Sequence, residues 1–278
     1  MTKLPIALVQ LSSTDDPAAN LPVTEAYVRE AATGGAQLIV TPEVTNMVSM
    51  SRTRQNEKLN LESGDPTLAR LREVADDCGV WLLIGSLAVK GAPDGRFSNR
   101  SFLISPGGET VARYDKIHMF DAIPTAQETY RESNGYRPGG EATLARTSIA
   151  NIGMTICYDM RFPDLYLRLA RAGAQILTVP SAFTGPTGAA HWEVLLRARA
   201  IETGCFVLAP AQCGVHSATR GPERKTWGHS LVISPWGEVI ADGGDAPGVV
   251  SAILDLDEIA GARQRVPSLV GAQAIVGP

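Results

Sequence analysis

The chain has 278 residues, of which 44% are hydrophobic and 19% charged, as in an ordinary globular protein that can bury a sizeable core. Its net charge of −4 argues against a nucleic-acid or anionic-membrane partner, and the densest basic clusters, 168–171 and 220–225, are interpreted as solvated surface. No apolar stretch approaches the length of a membrane span, and the short apolar run at the start is not a signal-peptide core. The sequence therefore predicts a cytoplasmic protein without a membrane partner.

Short apolar runs rich in Ile, Val and Leu alternate with amphipathic stretches along the chain. The apolar runs predict strands at 5–10, 37–41, 80–89, 101–105, 148–157, 174–179, 205–211, 229–234 and 249–254, and the amphipathic stretches predict helices at 21–32, 66–78, 163–172 and 189–203. Turn residues within 101–115 and 227–242 indicate hairpins. This pattern predicts an α/β protein with a mixed sheet, or with two sheets packed together and helices outside. No linker or repeat divides the chain, so residues 1–278 are expected to form one domain.

Cys157 follows the apolar run that begins at Ile149 and precedes the helix predicted from Pro163. Its side chain is therefore expected at the carboxyl end of a strand and near the amino end of a helix, where open α/β sheets place reactive groups. Helix amides and a cation such as Arg161 or Lys116 would favour the reactive thiolate. The alternative is a buried cysteine that acts as a small hydrophobe, and the location alone leaves it open.

The other cysteines and the histidines fit catalysis less well. Cys78 ends a helix and Cys205 opens an apolar strand, as structural thiols do, whereas Cys213 could line a pocket although no helix follows it. None of the histidines stands out as a partner of Cys157, and His216 is expected in a mobile loop. The Cys and His spacings are not typical of a metal site, so none is expected. A carboxylate is the better candidate for the base.

Two charged residues are candidates to work with the thiol. Glu43 closes the strand 37–41, where Pro42 turns the chain out of the sheet. Burial there would raise the pKa of the carboxyl group towards that of a general base, although Glu43 could instead cap the loop or pair with a cation. Lys116 follows the 101–115 hairpin among apolar residues, where it could extend to solvent or hold a positive charge for an oxyanion.

Together these residues resemble the carbon–nitrogen hydrolase (nitrilase) superfamily, whose hallmark is a Glu, Lys and Cys triad in this order. The matching motifs are Thr41-Pro42-Glu43, Tyr114-Asp115-Lys116-Ile117-His118-Met119-Phe120-Asp121 and Gly153-Met154-Thr155-Ile156-Cys157-Tyr158-Asp159-Met160-Arg161-Phe162-Pro163. The likeness extends from Ile6 to about Leu256. It implies an α-β-β-α sandwich and the association of subunits into a homodimer or larger homo-oligomer.

The resemblance also implies a second active-site glutamate between the lysine and cysteine motifs. Glu132 matches that position, and Glu128 is its alternative because the path of 122–130 is uncertain. Tyr158-Asp159 after the cysteine is similar to the amidase branches, whereas true nitrilases generally carry Trp-Glu there. Further segments, at 181–184, 190–203 and 211–214, are similar to deaminated-glutathione amidases.

From the resemblance we expect a thiol-dependent amidase that acts on a small-molecule amide such as deaminated glutathione, giving 2-oxoglutarate and cysteinylglycine. Glu43 would be the base, Cys157 the nucleophile, Lys116 and the Tyr158 N–H the oxyanion donors, and Glu132 a residue that orients Lys116 or the substrate. No metal or organic cofactor would be needed. The residues expected to bind the substrate are Tyr158, Arg161, Phe183 and Thr184, with Arg161 taking the carboxylate of the 2-oxo acid.

Several alternatives remain at this point. Arg161 could instead pair with Asp159 or Asp164, while Phe183 and Thr184 could serve in packing. The enzyme could be an ω-amidase or a carbamoyl-amide hydrolase of the same superfamily. A catalytically silent ligand-binding scaffold is the rival of another class, although it would have no reason to retain the whole triad. The sequence does not decide whether the 214–226 loop gates the site.

Overall fold

The computed structural model describes residues 3–126, 128–271 and 277. Its helices are α1 (Pro17–Thr33), α2 (Arg52–Lys58), α3 (Pro66–Cys78), α4 (Pro163–Arg171), α5 (Gly185–Thr203) and α6 (Asp257–Arg265). Its strands are β1 (Lys3–Gln10), β2 (Leu38–Val40), β3 (Trp81–Val89), β4 (Ser98–Ile104), β5 (Thr110–Asp115), β6 (Asp121–Thr125), β7 (Glu128–Arg131), β8 (Thr143–Arg146), β9 (Asn151–Met154), β10 (Ile176–Thr178), β11 (Phe206–Ala209), β12 (Cys213–His216), β13 (Arg224–Trp227), β14 (Leu231–Ile233), β15 (Val239–Asp242) and β16 (Gly248–Asp255). Within these ranges no helix is long and apolar enough to cross a membrane.

Most of the strands belong to two six-stranded mixed sheets. The first has the order β16-β1-β2-β3-β4-β5 and the second the order β15-β14-β11-β10-β9-β8. In each sheet the three strands β1-β2-β3 or β9-β10-β11 run parallel, and the outer strands pair antiparallel. Glu43 comes after β2 and Cys157 after β9, so each follows the carboxyl end of a strand in a parallel group.

The alternation of side chains along β1 explains the layers. Ile6 and Leu8 pack in a core that includes the second sheet, α4 and α5, whereas Ala7 and Val9 pack in a core with α1 and α3. Successive residues of a strand point to opposite faces, so one face of the first sheet meets the second sheet and the other meets helices. The result is the α-β-β-α sandwich that the resemblance implied.

Helix α3 has the bounds that the sequence predicts, because both of its ends are marked by residues with a defined role. The Asp65 carboxylate accepts a hydrogen bond from the N–H of Leu68 (2.9 Å), and Pro66 occupies the first turn. Gly79 ends the helix in a left-handed conformation with φ of 65°. The hairpin predicted at 101–115 is also confirmed, as β4 pairs with β5.

Other boundaries differ from the predictions. The strand predicted at 148–157 is only β9, because residues 147–150 form a turn closed by the Thr147 hydroxyl and Cys157 begins a 3₁₀ helix, Cys157–Arg161. The helix predicted at 189–203 begins earlier, at Gly185. In the hairpin predicted at 227–242, β14 and β15 do pair, but Trp227 belongs to β13. Elements not predicted are α2, α6, β6, β7, β8, β12 and β13, which are short or carry many partly exposed residues.

Candidate active site

Glu43 lies beyond β2 in a turn that is held against β3. Ser86 Oγ accepts a hydrogen bond from the N–H of Val44 (2.8 Å), and Thr41 Oγ1 accepts one from the N–H of Gly85 (3.1 Å). Gly85 is needed because a Cβ atom there would lie 1.9 Å from the Thr41 carbonyl oxygen. Val44 has a positive φ of 48°, which is rare for a β-branched residue. The turn therefore fixes the position of Glu43, which is 4% exposed.

Cys157 opens the 3₁₀ helix after β9 and also has a positive φ, 51°. Its N–H donates to the carbonyl oxygen of Pro180 (2.9 Å). The buried carboxylate of Asp159 accepts hydrogen bonds from the N–H of Ile156 (2.9 Å) and the hydroxyl of Tyr114 (2.7 Å). Backbone strain of this kind persists only where the surroundings enforce it, and it is common at reactive sites.

Lys116 follows β5 and lies between two carboxylates. Its Nζ is 2.8 Å from Glu43 Oε1, and 3.0 and 2.9 Å from Oε1 and Oε2 of Glu132. Glu132 is itself held by the N–H of Phe120, which donates to Oε2 (2.6 Å). The glutamate in contact with Lys116 is therefore Glu132, and Glu128 is not among the residues that line the cavity.

Burial and mutual contact set the charges of this cluster. Burial raises the pKa of Glu43, but the Lys116 ammonium outweighs it and leaves the pKa below its usual range. Burial lowers the pKa of Lys116, but Glu132 and Glu43 more than compensate and hold the pKa well above its usual range. Burial and the Glu43 charge raise the pKa of Cys157. The resting site is therefore a carboxylate, an ammonium and a neutral thiol.

Asn99 of β4 is a member of this cluster that the sequence analysis missed. Its side-chain Nδ2 donates to Oε1 of Glu43 (2.9 Å) and to Oε1 of Glu132 (3.3 Å). Its backbone carbonyl oxygen accepts a hydrogen bond from the backbone N–H of Lys116 (3.0 Å). The hairpin could have revealed it, because Arg100 pairs with Asp115 and Asn99 is therefore next to Lys116. A buried amide that bridges two carboxylates fixes their spacing.

These side chains lie in a cavity of about 970 Å³, including the space open to solvent. We call Glu43, Asn99, Lys116 and Cys157 the floor, since all four are buried. We call Arg52, Tyr130, Arg131 and Arg224 the rim, since they line the same cavity but are at least partly exposed. The cavity thus combines a buried set of reacting groups with a more accessible, largely cationic entrance.

Most of the chain fits one family. Residues 5–264 match the model of the carbon-nitrogen hydrolase family. The chain belongs to that family. Among its relatives is the deaminated glutathione amidase of Yersinia enterocolitica, which is 40% identical over 267 residues, covering 95% of this chain and 91% of the relative. The deaminated glutathione amidase of Mus musculus is 41% identical over 269 residues, covering 94% of this chain and 81% of the relative.

A solved structure supports the assignment of this hydrolase to the same family. The C. elegans NitFhit protein superposes with a TM-score of 0.90 at 34% sequence identity over 98% of this chain. The match covers 65% of the worm protein, so this chain spans less than two thirds of that relative. The comparison therefore supports the fold of the shared part.

Three of the four residues predicted to bind substrate line the cavity of the hydrolase: Tyr158, Phe183 and Thr184. Arg161 is not among the lining residues. Its Nη2 lies 3.2 Å from Nδ1 of His191, and its guanidinium carbon lies 5.7 Å from the Tyr158 ring centroid and 5.8 Å from that of Phe183. It therefore packs against two lining residues, and the ion pair considered with Asp159 or Asp164 is not formed.

The segment at 214–226 begins and ends in strands of the hydrolase. Its two ends belong to the β12–β13 ribbon, in which Gly214 pairs with Thr226, and residues 217–223 connect them. His216 is buried rather than mobile, with Nδ1 2.8 Å from the carbonyl oxygen of Ser13 and Nε2 2.6 Å from Oγ1 of Thr226. Arg224, in the basic cluster interpreted as solvated surface, lines the cavity instead. The one sequence signal for the position of Arg224 is strand alternation, which puts its side chain on the same face of β13 as that of Thr226, two residues further on.

The remaining thiols and histidines of the hydrolase lie away from the floor. Cys205 is buried with its Sγ 3.2 Å from the carbonyl oxygen of Ala174, and Cys213 is buried but does not line the cavity. No histidine lines the cavity within the described residues. In those same ranges, no group of three or more His, Cys, Asp or Glu side chains is placed to hold a metal ion.

Proposed function

We propose that this carbon–nitrogen hydrolase is a thiol-dependent amidase of the deaminated-glutathione type, formed by one domain over residues 1–278. The observation that carries the proposal is the contact of Glu43 with Lys116 (2.8 Å), together with Cys157, at the buried floor of one open cavity. A base, a cation and a nucleophile brought together in one cavity are the parts that acyl transfer needs. The names of two relatives at about 40% identity support the substrate.

The charges of the resting site suit the first step. The proton stays on Cys157 until the sulfur attacks, because burial and the Glu43 charge raise the pKa of the thiol. Glu43 accepts that proton as the carbon–sulfur bond forms, which makes the carboxylate a general base. The thiol therefore needs no histidine, and the carboxylate is close enough to act directly.

The oxyanion that forms next lies between two donors. Lys116 brings a fixed positive charge, and the N–H of Tyr158 lies in the first turn of a helix, where amide groups lack intrahelical acceptors. The N–H of Cys157 is already bound to Pro180, so Tyr158 is the available amide of the two. One such donor contributes about 3–4 kcal/mol to transition-state stabilisation.

Collapse of this intermediate breaks the carbon–nitrogen bond. Glu43 returns its proton to the departing amine and leaves an acyl thioester on Cys157. Glu43 then takes a proton from water, which attacks the thioester; the carboxylic acid leaves and the thiol is restored. Glu132 positions Lys116 throughout, since both of its oxygens contact Nζ. The residues of this chain thus suffice for both half-reactions.

The proposed function is tested by comparing two amide substrates. For purified enzyme, kcat/KM should be higher with deaminated glutathione, which releases cysteinylglycine, than with 2-oxoglutaramate, which releases ammonia. Equal or reversed preference would place the enzyme with ω-amidases instead. If the wild type hydrolyses no amide of either kind, the scaffold hypothesis replaces the proposal. Cytoplasmic location stays a prediction of the sequence, and assembly into homodimers or larger homo-oligomers stays a prediction of the family resemblance.

A further inference from the structure

The charged residues of the cavity do not cancel. The cations are Arg52, Lys116, Arg131 and Arg224, and the carboxylates are Glu43 and Glu132. Lys116 already neutralises part of the charge of the two carboxylates that it contacts. Four cations against two carboxylates leave the lining with two positive charges in excess. Such a cavity suits a substrate that carries a carboxylate of its own.

Arg224 differs from the other two arginines in burial and in contacts. Arg52 and Arg131 are exposed, whereas Arg224 is only partly exposed. The Arg52 guanidinium donates to the carbonyl oxygen of Gly135 (3.1 Å) and lies over the Phe97 ring. A partly desolvated cation discriminates better between ligands with and without charge than one that water surrounds.

Arg224 also has a donor without an acceptor. Its Nη2 donates to the carbonyl oxygen of Ala182, but its Nε is buried and has no hydrogen-bond partner among the described residues. Buried N–H groups are normally satisfied, and an unsatisfied one is costly. Because a guanidinium presents its donors as a planar fork, a carboxylate is the ligand that fits them best.

The hydrogen bonds around Ala182 connect this arginine to the reacting atoms. The N–H of Ala182 donates to Oε2 of Glu43 (2.9 Å). The carbonyl group of the same residue holds Arg224. Arg224 is therefore held by the residue that also contacts the general base, and it lines the same cavity as Cys157.

We infer that Arg224 binds the carboxylate at the far end of the acyl group, so that the site selects amides of short dicarboxylic acids. The inference rests on the proposed function and deepens it. In this inference the acyl carboxylate binds to Arg224 of the β12–β13 ribbon, whereas the sequence analysis assigned it to Arg161. Binding there would pair the guanidinium with a carboxylate and place the amide carbonyl carbon against Cys157.

A matched pair of substrates isolates this contact. Glutaramate carries a carboxylate where pentanamide has a methyl group, and both present the same primary amide. We expect Arg224→Gln to lower kcat/KM for glutaramate by about 100-fold or more and for pentanamide by less than about threefold, because only the first loses its partner. Arg224→Lys should recover part of the loss, as it keeps the charge without the fork.

Lys225→Gln is the control for the charge itself. Lys225 is the next residue of the same strand, is exposed and does not line the cavity, so it should leave both substrates unaffected. An equal loss on both substrates in Arg224→Gln would overturn the inference and indicate that Arg224 only supports Ala182. A glutaramate-specific loss in Arg161→Gln, Arg52→Gln or Arg131→Gln, without one in Arg224→Gln, would also overturn it.

The same data separate the inference from the proposed function. Pentanamide hydrolysis by the wild type tests the amidase chemistry without any carboxylate. If the wild type hydrolyses pentanamide and Arg224→Gln does not alter the preference for glutaramate, the inference alone fails. If the wild type hydrolyses neither these two amides nor deaminated glutathione, and forms no thioester, the proposed function fails.

Discussion

The floor and the rim of the cavity are built in different ways. Floor residues follow or lie in strands of the two large sheets, and their partners are other buried groups, as in the contact of Glu43 with Lys116 and Asn99. Rim residues come from α2, β7 and β13, which are short elements outside those sheets. In the proposed mechanism the sandwich therefore positions the reacting groups, and in our inference the peripheral elements select the substrate.

This contrast predicts different kinetic effects for the two groups. A change at the floor should lower kcat for every amide, whereas a change at the rim should alter the ranking of amides. The Arg224 variants test the rim. The following predictions test the floor and Glu132, which contacts Lys116 of the floor. An effect confined to one amide in any of them would contradict the contrast.

The largest effect is expected from Glu43→Gln. The amide has nearly the shape of the carboxylate but cannot accept a proton, so kcat should fall by about 10³- to 10⁴-fold with any amide. Steady-state turnover of glutaramate and pentanamide would measure this, with circular dichroism as the check on folding. A loss seen with only one of the two amides would place Glu43 in substrate recognition instead.

A smaller loss is expected from Glu132→Gln, which weakens the hold on Lys116 without removing the base. Misplacing an oxyanion donor costs about 100-fold in rate, and kcat should fall accordingly. Glu128→Gln is the matched control, because Glu128 lies in β7, close in sequence, but does not line the cavity. A loss in Glu128→Gln that exceeds the loss in Glu132→Gln would reverse the assignment of the second glutamate.

The smallest effect is expected from pH. The pKa of Glu43 is below its usual range, so its base form is lost only as the pH falls into the acid range. The pKa values of Cys157 and Lys116 are above their usual ranges, so neither titrates near neutrality. The kcat/KM for pentanamide, which carries no charge, should stay constant between about pH 6 and 8. An inflection near pH 6.5 would indicate a catalytic histidine, contrary to the proposed mechanism.

The same contrast explains what could be predicted from the sequence. Glu43 and Cys157 each follow an apolar run, and a proline marks the end of the strand in one case, Pro42, and the start of the next helix in the other, Pro163. The sequence alone therefore predicts both residues at the ends of strands. The sequence pattern left open whether there is one mixed sheet or two packed sheets, and the α-β-β-α sandwich came from the family resemblance. The order of the strands was not predicted, since apolar runs do not specify their neighbours.

The rim could not be predicted in this way. Arg224 lies in a four-residue strand within a basic cluster, and its partner Ala182 is distant in sequence. Arg52 begins a seven-residue helix that has a single buried residue, Gln55. Such elements bury too little apolar surface to leave a periodic pattern, so only tertiary contacts reveal which of their faces meets the cavity.

The central claim is that Cys157 carries the acyl group, and intact-protein mass spectrometry tests it most directly. The enzyme is mixed briefly with deaminated glutathione, quenched in acid, weighed and mapped by peptide analysis. The mechanism predicts a 2-oxoglutaryl adduct on Cys157 in the wild type and neither adduct nor turnover in Cys157→Ala. An adduct on another residue, or turnover that persists in Cys157→Ala, would contradict it.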